Sequence, residues 1–203
     1  MPIVNLLNTH TWHQGKTYID FEYDFRNKTM AQLTADWWIE RTPWSTQISS
    51  QWIKASSYQY MYNYLPDLQQ ALQDANIITL KTRYYNWWVS SWYYCDGGVW
   101  VSNISSPAGG AKVFITWDYT AASVSSWNLI RYSYSAWTVP VWDYEITLII
   151  NKTTKQLSLN IPNFYTNTVT IPDEQIPSLD TYDLFDVTYW QSAYTRKVSI
   201  KTE

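Results

Sequence analysis

The chain has a single cysteine, Cys95, in 203 residues, so no intrachain disulfide can form and packing alone must hold the fold. Charged residues make up only 15% of it, against about 25% in an average globular protein, and the net charge is -3. Lys and Arg total 14 against 17 acidic residues and do not cluster, apart from Arg196-Lys197 and Lys201, which excludes a cationic groove for nucleic acid. There are five glycines and no Gly-rich phosphate loop. No apolar run approaches the roughly 18 residues of a membrane-spanning helix. With 46% hydrophobic residues, disorder is excluded as well.

Histidine is nearly as scarce as cysteine. A Ser-His-Asp or Cys-His device would need His10 or His13, the only two in the chain. Cys95 sits in Tyr94-Cys95-Asp96-Gly97-Gly98, which reads as a strand end entering a turn, and so as a structural thiol. His10 and His13 could approach Asp20 or Glu22, but no spacing motif supports a metal site, and no metal or cofactor is expected.

What the chain has instead is aromatic surface: fourteen Trp and eighteen Tyr beside five Phe. Period-two alternation dominates. In Thr17–Arg26, Ile19, Phe21, Tyr23 and Phe25 fall on one face, with Asp20, Glu22 and Asp24 on the other. Lys112–Tyr119 and Asp143–Ile150 repeat the form, and Asn151-Lys152-Thr153-Thr154 followed by Leu157, Leu159 and Ile161 makes Asp143–Ile161 a hairpin. Further strands are expected at Gln32–Glu40, Ser57–Tyr64, Ile78–Trp92, Gly98–Ile104, Trp127–Trp137, Thr166–Ile171, Tyr182–Trp190 and Arg196–Lys201.

Residues 66–76 are the exception: Pro66 suits a first turn, and Leu65, Leu68, Leu72 and Ala75 form one apolar stripe, predicting a short helix on the sheet. Turn signals fall at Gly15, Asp96-Gly97-Gly98, Pro107-Ala108-Gly109-Gly110, Pro140 and Pro172–Pro177, with no long linker. The expectation is an all-β protein, a β-sandwich or jelly roll of about eleven strands with one short helix, over residues 15–203.

Residues 1–14 read as a strand or arm. Ile3, Val4, Leu6 and Leu7 are candidates for strand exchange with an open sheet edge on another subunit; an ordinary first strand is the alternative. The start lacks a basic n-region and its apolar run is broken by Asn5 and Asn8, so no export signal is expected. The many Ser, Thr, Tyr and Trp, with N-x-[ST] patterns at Asn27, Asn103 and Asn151 that could be glycosylated, nevertheless suggest an exterior protein. A mature form whose leader was removed or a virion protein made in the cytoplasm would reconcile the two, and Met1 favours the second.

On a strand, Trp37-Trp38 and Trp87-Trp88 must each send one indole away from the core. Such rings can be covered by a loop, by a sugar, whose C–H faces stack on indole or phenol, or by a second subunit. Trp37, Trp38, Trp44, Trp87, Trp88, Trp92 and Tyr94 are the candidates for glycan or subunit contact. As for catalysis, Asp20, Glu22 and Asp24 share a strand face at roughly 6.6 Å spacing, within the range of glycosidase acid and base pairs, and Asp143 with Glu145 repeats it. Solvent-facing strand rows commonly carry charge and no local signature surrounds these carboxylates, so a solvated face and no catalytic residue are expected.

Tyr144-Glu145-Ile146-Thr147-Leu148-Ile149, a polar turn and Gln156-Leu157-Ser158-Leu159-Asn160 together resemble the central hairpin of concanavalin-like lectin sandwiches, which implies a sugar-binding sandwich. In composition the chain also resembles β-sandwich surface and filament proteins of archaeal viruses and archaeal extracellular threads. The reading favoured by composition is a non-enzymatic structural subunit of a virion or extracellular filament that associates with itself through aromatic patches. The alternatives are a glycan-binding module at a cell surface and a jelly-roll glycoside hydrolase.

Overall fold

The structure is a computed structural model describing residues 11–13, 15–40, 46–55, 59–86, 97–103, 106–115, 119–124, 127–133, 142–189 and 193–203. In chain order its first elements are β1 (Thr11–His13), β2 (Lys16–Tyr18), β3 (Asp20–Asp24), α1 (Met30–Ala35), β4 (Trp38–Glu40), β5 (Thr46–Ile48), β6 (Ile53–Ala55) and β7 (Gln59–Asn63). Next come α2 (Leu68–Asp74), β8 (Ile77–Asn86), β9 (Gly97–Asn103), β10 (Ser106–Ile115), β11 (Tyr119–Val124) and β12 (Trp127–Ser133). The chain ends with β13 (Trp142–Asn151), β14 (Gln156–Ile161), β15 (Tyr165–Thr170), a 3-10 helix (Asp173–Thr181), β16 (Leu184–Tyr189) and β17 (Ala193–Thr202).

Fifteen of these strands form two antiparallel sheets. One is seven-stranded, in the order β12-β11-β10-β9-β16-β7-β4; the other is eight-stranded, in the order β15-β14-β13-β8-β17-β6-β5, with β3 also on β17. The remaining pair, β1 and β2, is a small hairpin turned at Gly15, whose φ of 77° suits glycine. This is the expected all-β sandwich, with more and shorter strands than the eleven expected.

Period-two burial explains the layering. Ile19, Phe21, Tyr23 and Phe25 are all buried, while Asp20 and Glu22 between them face solvent. Ile146, Leu148 and Ile150 on β13 and Leu157, Leu159 and Ile161 on β14 line the same core, and the hairpin closes in the expected register with Asn151 opposite Gln156. Rings from both sheets interlock beside β3. Trp38 lies 5.2 Å from Tyr23, 5.0 Å from Phe25 and 6.3 Å from Phe185, and Phe21 meets Phe185 edge-on at 5.7 Å.

Four sequence expectations need correction. Gln32–Glu40 is not one strand: its first half belongs to α1, where the Thr29 hydroxyl accepts from the Gln32 N–H and the Gln32 side chain accepts from the Thr29 N–H. Leu33 anchors that helix in the core, and Trp37, with φ 65°, turns the chain into β4. Lys112–Tyr119 is likewise split, because β10 ends at Ile115 and Tyr119 opens β11, with Ile115 opposite Thr120.

Pro107–Gly110 is no turn but lies within β10, where the register shifts between Ser106 and Ala111. Glycine is required there because a Cβ on Gly110 would come within 2.4 Å of the Val101 carbonyl oxygen. Finally, Pro172–Pro177 is no open turn: Pro172 caps the 3-10 helix and Pro177 lies inside it, and the helix packs Leu179 into the core.

The expected helix at residues 66–76 is present as α2, burying Leu68, Ala71 and Leu72. Pro66 and Asp67 precede it, and Asp67 (φ 59°) makes no side-chain cap. Its C-terminal carbonyls are held by Lys152, whose Nζ donates to Leu72 O at 2.8 Å and Gln73 O at 3.1 Å while pairing with Asp180 at 2.9 Å. The Gln69 and Gln73 amides donate to Asp180 O, so α2 is fixed against the 3-10 helix at one end of the sandwich. Residues 1–10, with the strand-exchange candidates Ile3, Val4, Leu6 and Leu7, lie outside the described residues; Thr11–His13 pairs within its own chain.

Replacing the interlocked ring should be costly and replacing its neighbour cheap. Trp38→Ala is expected to lower unfolding free energy by about 3–5 kcal/mol and Trp37→Ala by less than about 0.5 kcal/mol, measured by urea titration.

Candidate functional site

The aromatic pair is divided: Trp38, the first residue of β4, is 2% exposed, and Trp37, in the left-handed turn before it, is 70% exposed. Trp38 is therefore core and does not serve as a glycan or subunit contact, because β4 faces it toward Phe21, Tyr23 and Phe25. Trp44, Trp87, Trp88, Trp92, Tyr94, Cys95 and His10 lie outside the described residues. Trp37 is left exposed just before β4, whose outward side opens onto a surface that the sequence alone did not assemble.

That surface is the outer face of the seven-stranded sheet. Met61, Phe185, Val187, Val99, Val101 and Val113 point into the sandwich, so their neighbours point away from it. Cross-strand register aligns those neighbours in one row: Ile39 opposite Tyr62, Tyr62 opposite Asp186, Asp186 opposite Trp100, Trp100 opposite Lys112, and Lys112 opposite Ser123.

The middle of the row is enclosed. Asp186, Ser102 and Ser123 are fully buried, Trp100 nearly so, and the Ser102 hydroxyl donates to the Asp186 carboxylate. Burial pushes the Lys112 ammonium below its ordinary value.

Toward β7 and β4 the row emerges. Ile39 is 38% and Tyr64 44% exposed, and Tyr62 meets Tyr64 edge-to-face at 5.4 Å. Beside Tyr64 opens a cleft of about 390 Å³, lined further by Asp67, Gln69, Gln70 and Gln73 before and on α2 and by Asp183. The Asp183 N–H donates to Ser102 O at 2.9 Å, which ties the cleft to the buried row, and its Oδ1 has no donor among the described residues. Flat rings beside amides and carboxylates are the chemistry by which proteins hold polyhydroxylated ligands. Tyr64 was missed as a site residue because a Tyr among eighteen carries no local signal; its contact with Tyr62 and the placement of α2 single it out.

The carboxylates weighed for hydrolysis occupy the opposite side of the molecule, the outer face of the eight-stranded sheet. There Glu22 pairs with Lys197 at 2.7 Å, Glu145 with Lys81 at 3.6 Å, and Asp143 with both Arg83 and Arg196 at 2.8 Å. Arg196 reaches Asp143 because the β17 register shifts between Thr195 and Lys197. For Asp143, burial acts upward, but the Arg83 hydrogen bonds and the two guanidinium charges outweigh it and hold the carboxyl below its ordinary range. Asp24, bonded to Arg26, is likewise lowered against its burial. A general acid needs the reverse shift.

No three His, Cys, Asp or Glu side chains converge on a possible metal among the described residues, so the donor set there does not fit one. No helix is long and apolar enough to cross a membrane among them. Of the glycosylation candidates, Asn27 is exposed in a turn; Asn103 and Asn151 are half-buried, and Asn151 Oδ1 accepts from the Thr154 N–H at 2.8 Å.

No protein-family model matches the sequence. No curated protein matches it either. Solved structures do match in fold. Lectin I-B4 from Griffonia simplicifolia, in a metal-free form, has a TM-score of 0.59 at 8% identity over 91% of this chain and 99% of that one. Peanut lectin has a TM-score of 0.58 at 10% identity over 92% of this chain and 97% of that one. A Bacillus licheniformis β-glucanase has a TM-score of 0.53 at 8% identity over 94% of this chain and all of that one. The fold is thus the lectin-type jelly-roll sandwich, a scaffold shared by sugar-binding proteins and an enzyme.

The ion-paired face generates a pH prediction. Because Asp24 and Asp143 sit lower in the folded chain than in the unfolded one, their stabilisation is complete at neutral pH and is lost as pH falls from about 4 through their lowered values. Unfolding free energy, followed by urea titration across acid pH, should decline over that window, and Asp143→Asn should flatten the decline.

Proposed function

We propose that the protein is a glycan-binding, lectin-like sandwich module without hydrolytic activity, and that sugar is held at the Tyr64 cleft. The observation that carries this is the cleft itself: the exposed Tyr64 ring lines it together with Asp67, Gln70 and Asp183. A pyranose offers C–H bonds to the ring and hydroxyls to the amides and carboxylates. Ile39, exposed on the adjacent edge strand opposite Tyr62, extends the apolar surface for a second sugar unit.

The likeness in fold to lectins supports this reading over the virion or filament subunit that composition favours. A module of this kind works where glycans are displayed, so an extracellular or virion surface remains the proposed location. The β-glucanase neighbour keeps hydrolysis as the competing outcome, against which stands the ion pairing of Glu22 and Glu145.

Screening of soluble oligosaccharides followed by titration calorimetry tests the proposal. Tyr64→Ala is expected to weaken the best ligand by about tenfold, the loss of one stacking contact, and Trp37→Ala by less; Glu22→Gln and Glu145→Gln should leave binding unchanged. Folded protein that binds no sugar would overturn the reading, and so would release of reducing ends that Glu22→Gln or Glu145→Gln abolishes.

A further inference from the structure

The groups that line the Tyr64 cleft are unevenly divided between donors and acceptors. Asp180 O and the Asp74 carboxylate accept and do not donate, so the bonds they receive fix how three glutamine amides on α2 are turned. Gln69 and Gln73 donate to Asp180 O at 3.2 Å and 3.0 Å, and Gln70 donates to Asp74 Oδ1 at 3.1 Å. Each amide thus commits an N–H to the protein and keeps its carbonyl oxygen, which accepts no bond among the described residues.

Charge is equally one-sided. Asp67 and Asp183 line the cleft, and no Lys, Arg or His does so among the described residues. Asp74, one helical turn beyond Gln70, receives neutral donors, the Thr17 N–H at 2.8 Å and the Gln70 amide. Lys152, the cation at this end of α2, is engaged by the Leu72 and Gln73 carbonyls and by Asp180. Asp183 has no ion pair among the described residues, and its Oδ1 is shielded from water without a donor. A carboxylate so placed has lost hydration that no protein donor replaces, which favours a cation against its other oxygen.

A neutral sugar answers this lining incompletely, because each hydroxyl brings oxygen lone pairs along with its one donor hydrogen. An acidic sugar is repelled by the two carboxylates. An ammonium brings three donors, a positive charge and no acceptor. It is also attracted to the face of a phenol ring, and Tyr64 stands exposed in the same cleft as Asp67 and Asp183.

We propose that the Tyr64 cleft selects sugars that carry a free amino group, with the ring of a 2-amino-2-deoxyhexose against Tyr64 and its ammonium at Asp183. This rests on the glycan reading and narrows it from sugars at large to cationic ones. The carbonyl oxygens of Gln69, Gln70 and Gln73 then accept from the hydroxyls that remain.

Titration calorimetry of the full chain at about pH 6, where such amines are protonated, tests it with β-1,4-linked tetramers of glucosamine, N-acetylglucosamine and glucose. The glucosamine tetramer should bind at least about tenfold more tightly than the other two, and its advantage should shrink as salt is raised. Asp183→Asn, and Gln70→Lys at an exposed position on α2, should each draw that ratio toward one, with folding checked by circular dichroism. Equal affinity for all the tetramers overturns the amine preference and leaves the glycan reading standing. Binding of none of them also overturns it, and the wider oligosaccharide screen then decides the glycan reading by itself. Putrescine bound as tightly as the glucosamine tetramer overturns the proposal, since the cleft would then read an amine without a sugar ring. So does a preference that survives both substitutions, which would place the contact elsewhere.

Discussion

Two sheets remain face to face only when the side chains between them fill the gap, and beside β3 this protein fills it with rings from both layers. Phe21, Tyr23 and Phe25 come from one sheet and Trp38 and Phe185 from the other, with centroids 5 to 6.5 Å apart. The Tyr23 hydroxyl has to find a partner in that apolar setting and donates to Asp36 at 2.6 Å, with Lys28 3.1 Å from the same oxygen. Burial first, and then that carboxylate, push the phenol pKa far up, so it stays a donor. Asn63 donates to the Asp36 carbonyl at 3.0 Å. The end of α1 is thereby pinned to β3 and β7, and the turn at Trp37 follows from it.

The site depends on that chain of constraints. With Trp38 drawn inward and α1 ending at Asp36, Trp37 is driven to the left-handed region and out of the core. Because β4 is the last strand of its sheet, the outward row that is sealed at Asp186 and Trp100 opens at Ile39, Tyr62 and Tyr64. The helix α2, fastened to Asp180 by Lys152, then supplies the other wall of the cleft.

The two outer faces are consequently specialised in different ways. The eight-stranded sheet spends its charges on neighbouring strands, two residues apart, in the pattern that cross-strand pairs favour. At Asp143 the paired guanidinium groups hold the carboxyl below its ordinary range, the opposite of what an acid catalyst needs. The seven-stranded sheet instead buries its polar row and leaves rings at the margin.

The alternation of Ile19, Phe21, Tyr23 and Phe25, and of Ile146, Leu148 and Ile150, made the sandwich and its core readable from the sequence, since a strand's faces are fixed by a two-residue period. The Asn151–Gln156 hairpin and α2 were readable for the same local reason. The helix at Met30–Ala35 was hidden behind an aromatic run, although its Thr29 and Gln32 capping pair was there to be seen. That one indole of Trp37-Trp38 must leave the core follows from the sequence; which one does so depends on the position of α1 and β7. Tyr64 beside Asp183 and Arg196 beside Asp143 were decided only by tertiary structure. Each joins strands distant in the chain, and strand order and register are set by packing of the whole sheet, which no local pattern carries.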